Sequence, residues 1–385
     1  MAAAATLVDD WPGLLESARL EKVLPLVAAR LTKEAPAGVP DDILERLAVA
    51  RRASNHAALQ RSGQVLRIVD LLAGAGITAL PIKGPALAQD LYGDPGLRSS
   101  FDLDFVVRPE DAAAARETLL RNGFEDVGRF SERILRRGPW SENEVCLIGR
   151  SGSPVVDLHW RLGVGYSTQG VDTERLLAGA RPLSLLGRDV LALSPADQLL
   201  VGALHGARHQ WTQLELRLAT ALQVRRLPAE AWPRVCATAR ECGCLRRLIV
   251  GVVHACRPFS VPVPAEVGRL VREDGLAETY LATLRREARQ ALRQRPAGRF
   301  AEKNWAVVPS PFLRALSEDS LIDAFEHLLA RGLLPGPEDW DAVDLPPRLE
   351  ALYWVLRPPR LAGKYAALAV VQAAGRMRSG FRTRS

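Results

Sequence analysis

The segment Phe101-Asp-Leu-Asp-Phe-Val-Val107 constrains the fold more than any other stretch of the chain. In extended form it places Phe101, Leu103, Phe105 and Val107 on one face and Asp102, Asp104 and Val106 on the other. A strand built of Phe, Leu and Val belongs inside a sheet, yet burying neighbouring carboxylates without positive charge is costly. Some group of opposite charge must therefore meet them. A hard divalent cation is an economical partner, since one or two carboxylates suffice to hold it with other oxygens.

A second strand has the same character. In Val155-Val-Asp-Leu-His-Trp-Arg161, Asp157, His159 and Arg161 share a face opposite Val156, Leu158 and Trp160. If this strand lies beside the first, three carboxylates converge, enough for one or two metal ions. The alternative is a polar face at a sheet edge, where His159 and Arg161 neutralise the acids by salt bridges. Alternation alone leaves both readings open. Upstream, the apolar run Ile77 to Ile82 ends at Lys83-Gly84, and Pro85 then suits the first turn of a helix. Glycine between strand and helix lets a ligand approach the backbone, and free N–H groups at a helix start attract anions. Lys83 is placed to meet the outer phosphates of a nucleotide, with Arg98 covering them from the loop before Asp102. The run of glycines that marks a P-loop is not there.

Around these motifs the chain divides into four parts. Residues 1–75 read as a helical segment: one helix after Trp11-Pro12, a second from Pro40-Asp41-Asp42, and a third pattern through Leu59 and Leu72. Residues 76–190 read as a small α/β unit with a mixed sheet, with strands at 77–82, 101–107, 145–148 and 155–162. Residues 191–375 read as helices, opened by the Ser194-Pro-Ala-Asp197 cap and a single helix over 195–224. Residues 376–385 form a basic tail. The fold class is α+β, a mixed-sheet core flanked by helices on both sides.

Composition removes several classes. Of 385 residues, five are cysteine and six histidine, too few and too scattered for a disulfide scaffold or a zinc ribbon. The N-terminus has no basic region before its few apolar residues and no run spans a bilayer, so the cytoplasm is the expected compartment. The net charge of +7 comes mostly from arginine. The clusters at 285–299 and 376–384 lack interleaved aromatics, which argues against nucleic acid as a partner. His205 and His209 are spaced for one helical face, where packing or substrate contact is favoured over zinc. Trp211, Trp232, Trp305, Trp340 and Trp354 are expected in the core or at domain interfaces.

Taken in order, LPIKGPALAQDLYGDPGLRSSFDLDFVV and then VVDLHWRL resemble the uncharacterised bacterial nucleotidyltransferases of the DNA polymerase β-like superfamily. The likeness covers most of the chain, including the Trp11 opening, the His205 to Trp211 segment and the closing Tyr353…Arg357-Pro-Pro-Arg360 stretch. It implies an enzyme that moves a nucleoside monophosphate from an NTP to an acceptor, with pyrophosphate leaving. The implied cofactor is Mg²⁺ or Mn²⁺, ATP is the expected NTP, and the acceptor is a small molecule, peptide or protein. On this resemblance Asp102, Asp104 and Asp157 are the catalytic and metal-binding carboxylates, with Asp157 attending to the acceptor. Lys83, Gly84, Arg98, His159 and Arg161 are the residues expected to bind the nucleotide. There are two departures: Pro85 stands where the superfamily usually has serine, and Leu216-Arg217-Leu218 stands where family members often carry an acid. These departures keep a non-catalytic nucleotide sensor or scaffold in view, and the net charge keeps a nucleic-acid-modifying enzyme as a more distant reading. Removing one acid of a repelling cluster is expected to raise melting temperature.

Overall fold

A computed structural model describes residues 8–127, 143–149, 154–163, 170–293 and 311–364. Three helices open it: α1 (Trp11–Leu20), α2 (Leu24–Glu34) and the long α3 (Asp41–Gly74). The sequence suggests two helices where α3 is one. Its middle turns lack an apolar period because Arg51 and Ser54 face a polar loop, where both donate to the Gly96 carbonyl at 2.9 and 2.8 Å. Asp41 and Asp42 in its first turn complement the helix dipole.

The α/β unit follows as β1 (Leu80–Pro81), α4 (Gly84–Tyr92), β2 (Asp102–Val106), α5 (Ala112–Arg121), β3 (Phe124–Asp126), β4 (Glu144–Gly149) and β5 (Val155–His159). These strands form one mixed sheet in the order β1-β2-β5-β4-β3, with β2 and β5 parallel and every other neighbour antiparallel. A short helix α6 (Thr173–Ala178) leads to the hairpin β6 (Arg181–Leu185) and β7 (Arg188–Ala192). Neither β3 nor this hairpin is announced by an apolar alternation long enough to read.

Parity decides which side of the sheet does what. Leu103, Phe105, Val156, Leu158 and Trp160 pack with Val65, Ile68 and Leu72 of α3 and Ala115 and Leu119 of α5. Each such side chain contributes about 1.5–3 kcal/mol, which offsets the cost of charges held on the opposite face. Trp340 and Tyr353 return from the C-terminal region to join this cluster.

The opposite face meets α7 (Pro195–Arg208) and α8 (Leu214–Arg226), backed by α9 (Trp232–Glu241) and α10 (Leu245–Cys256). The helix expected over 195–224 is broken at Gln210 and Trp211, both with φ of 52°. The break lets the Trp211 indole fill the space beside two glycines. A Cβ at Gly206 or Gly251 would fall within 2.5 and 2.3 Å of it. Trp211, Trp232 and Trp340 are buried as expected, Trp354 is exposed, and Trp305 and the 376–385 tail lie outside the described residues. The chain continues through α11 (Ala265–Glu273), α12 (Ala277–Arg293), α13 (Pro311–Ser317), α14 (Leu321–Leu333) and α15 (Pro337–Ala342). Among the described residues no helix is long and apolar enough to cross a membrane.

Candidate active site

Strand register brings the acids together. Asp104 of β2 pairs with Asp157 of β5, and Asp102 with Val155. Because the strands are parallel and in register, the Asp104 and Asp157 side chains rise side by side from one face. Asp104 is 3% exposed, whereas Asp102, at the start of the strand, is open to solvent.

One oxygen of Asp104 is already engaged. Oδ1 accepts from the Lys83 ammonium and lies 3.2 Å from His159 Nε2. His159 Nδ1 reaches Glu144 Oε2 at 3.0 Å, and Arg208 meets the other Glu144 oxygen at 3.2 Å. Burial alone would keep the imidazole neutral, but its bonds to Asp104 and Glu144 raise its pKa to about 9. It is therefore an imidazolium between two carboxylates. Burial likewise opposes ionisation of Asp104 and Glu144. Lys83 and His159 hold Asp104 well below the usual carboxylate range, and His159 and Arg208 do the same for Glu144.

Other oxygens are left over. Asp104 Oδ2 and Asp157 Oδ1 are buried without a hydrogen-bond partner. Burial raises the Asp157 pKa, the charges of Asp104 and Glu144 raise it further, and a hydrogen bond from the facing Cys146 only partly opposes them. Orphaned carboxylate oxygens on adjacent strands are a hard-cation donor set. Among the described residues no three His, Cys, Asp or Glu side chains form a ready metal cluster. The residues thus fit a cation held by two carboxylates jointly with phosphate oxygens, rather than one caged by protein alone.

The turn before the helix is set by backbone conformation. Gly84 has φ of 59°, and a Cβ there would lie 3.6 Å from its nearest neighbours, so left-handed geometry rather than crowding demands glycine. Gly93 (φ 71°) closes α4 in the same conformation. The following loop is fixed by Arg51, which pairs with Asp94, and by Gly96, where a Cβ would meet Asn55 Oδ1 at 2.3 Å. The braced loop delivers Arg98 to the start of β2.

Arg98 does not face solvent. Its Nε donates to Glu215 Oε1 at 2.6 Å in a buried pair across to α8. An acid is therefore present one residue before Leu216-Arg217-Leu218, where the family pattern leads one to look. His205 and His209 stack edge-on with ring centroids 4.5 Å apart. Burial lowers both pKa values, with Lys83 and Arg208 among the neighbouring cations that add to it, so both are neutral near pH 7. Lys83, Arg98, His205 and Glu215 share the wall of a narrow cleft between α4 and α7–α8, partly open to solvent.

Of the residues singled out from sequence, Lys83, Asp104, Asp157 and His159 stand together, Asp102 opens the same strand, and Gly84 forms the turn. His159 carries the salt-bridging role of the alternative reading. Arg161 is half-buried and forms no ion pair with the described residues. Sequence reasoning missed Glu144 and Glu215. Glu144 opposes His159 in the β4–β5 register. The sequence clue was an acid heading a strand beside an otherwise uncompensated buried histidine.

A family model described as uncharacterised nucleotidyltransferase matches residues 8–260. The chain belongs to this family. No curated protein and no solved structure matches it.

Proposed function

We propose that the protein transfers a nucleoside monophosphate from an NTP, ATP first among the candidates, to a small-molecule, peptide or protein acceptor and releases pyrophosphate. The observation that carries this is the in-register pair Asp104 and Asp157, each with a buried unpartnered oxygen, beside the Lys83-Gly84 turn. Asp102 and Asp104, with Asp157 across the strand gap, would hold Mg²⁺ or Mn²⁺, which when bound supplies charge stabilisation at the transferring phosphoryl group. Lys83 leaves Asp104 to meet the outer phosphates, where an ammonium assists both binding and the departing charge. Asp157 orients the acceptor hydroxyl and takes its proton. The imidazolium of His159, held by Glu144, fixes Asp104 from below and limits its rotation. Arg98 acts through Glu215 to join the loop before β2 to α8, so its role is positioning.

A second reading has its own support. The Lys83–Asp104 pair uses one oxygen a cation would take, and Pro85 removes an N–H that could hold phosphate. Both features suit a protein that binds nucleotide without turning it over. The deciding experiment supplies the full chain with Mg²⁺, an α-labelled NTP and fractionated cell extract as a source of acceptors. Cation-dependent pyrophosphate release with the label passing to an acceptor, abolished by Asp104→Asn, is expected. Nucleotide bound with no pyrophosphate formed from any of the four NTPs would establish the binding-only reading.

A further inference from the structure

Two cations face the acidic end of β2 from the N-terminal helices, and neither has a carboxylate partner among the described residues. Lys22 sits in the turn between α1 and α2 with φ of 56°. Its ammonium lies 5.7 Å from the centre of the Phe101 ring, next to Asp102. Arg61, on α3, is half-buried with its Nε shielded from water and unpaired, and Asp102 is the acid that acts on its charge. Burial lowers the pKa of both groups; for Lys22 the cations Arg98 and Lys83 add to this, and the carboxylates of Glu215 and Asp102 only partly oppose it.

The Lys22 turn is held in place. The Glu21 carboxylate accepts the Leu214 N–H at 2.6 Å, and the Glu21 carbonyl accepts the Glu215 N–H at 3.2 Å. These bonds cap the N-terminus of α8 and tie the first helical segment to the element that carries Glu215. A half-desolvated lysine that Glu215 and Asp102 reach only through space, with no ion pair to either, is costly unless a further anion meets it. Asp102 cannot serve both cations and a divalent metal as well. A polyphosphate can, because it carries several charges along its length and can meet more than one cation at once.

We propose that Lys22 and Arg61 form a second cationic wall of the site, gripping the outer phosphates of the NTP opposite Lys83 and making the N-terminal helices part of the nucleotide-binding machinery. This rests on the site being one for a nucleoside triphosphate. It adds that residues outside the α/β core determine affinity for the polyphosphate tail.

The test is calorimetric titration of the full chain with inorganic tripolyphosphate and with Mg²⁺–ATP. Lys22→Ala and Arg61→Ala should each weaken both ligands roughly tenfold, as expected for losing one charge-assisted contact. Lys22→Arg should recover most of the loss. The ligand-free melting temperature of Lys22→Ala should stay level or rise, because an uncompensated cation has been removed. Unchanged affinities in both alanine variants, with Lys83→Ala still weakened, would overturn the second wall and leave the reading of the core intact. A fall in ligand-free melting temperature with unchanged affinity would make Lys22 a structural residue and also overturn it. Tripolyphosphate binding that depends on Lys22 in a protein with no nucleotidyl transfer would sustain this inference and sink the transfer reaction instead. A wild type that binds neither ligand would remove both.

Discussion

Asp339 and Asp104 are equally buried, at 4% and 3% exposure, yet their surroundings differ in kind. Asp339 in α15 is saturated by its own chain. Oδ2 accepts from Gly336 N–H at 2.9 Å and from Arg357, and Oδ1 accepts from Arg360 at 2.5 Å. Asp104 directs both its partners, Lys83 and His159, to one oxygen and leaves the other orphaned beside an orphaned oxygen of Asp157. A fully satisfied buried carboxylate staples a fold. One left half-satisfied on a strand face, with a flexible lysine as counter-ion, keeps an oxygen unpaired, which is the feature the proposed cation site depends on.

This contrast can be broken by substitution. Asp104→Asn should cost several kcal/mol of transition-state stabilisation, a loss in turnover on the order of a thousandfold. It should also lower the melting temperature, since Lys83 and His159 lose their shared counter-ion. Relief of repulsion, expected for any acid of the cluster, therefore does not apply to Asp104. Asp339→Asn should do the reverse, destabilising by about 3 kcal/mol in urea unfolding while leaving turnover per folded molecule unchanged. Loss of turnover at full stability in Asp339→Asn would erase the distinction.

Smaller effects sharpen it. Gly84→Ala should cost about 1–2 kcal/mol of stability in the ligand-free protein, because a Cβ is forced into left-handed backbone. That loss is expected in the ligand-free protein whether or not phosphate binding also changes. The His159 pKa is raised from 6.5 to about 9, so its stabilising contribution is complete below about pH 6.5 and disappears as pH rises through about 9. Unfolding midpoints across this window should fall in wild type, and that component should vanish in His159→Gln. Asp157→Asn should be the mildest, neutral or stabilising by up to about 1 kcal/mol. Its carboxylate is the one made harder to ionise by burial and by Asp104 and Glu144.

The α+β class, the two motif-bearing strands and their facing acids were legible because period-two alternation survives wherever one strand face is apolar. The Lys83-Gly84 turn was legible from the residues its backbone requires. Long-range pairings were not. Glu215 lies 117 residues from Arg98, and Glu21 caps a helix 193 residues away. No local pattern records such contacts. The continuity of α3 was hidden for a different reason: its middle turns spend their side chains on the 94–96 loop instead of on an apolar core. Trp354 shows the limit of composition, since a large aromatic at a helical position remains exposed.

The most direct measurement is a crystal structure of the full chain with Mg²⁺ and an NTP analogue that cannot be cleaved between its α- and β-phosphates. A cation about 2.1 Å from oxygens of Asp102 and Asp104 is expected, with Asp157 facing the α-phosphate and Lys83 moved from Asp104 to the outer phosphates. Nucleotide bound with the Lys83–Asp104 pair intact and no cation at either strand aspartate would contradict the account.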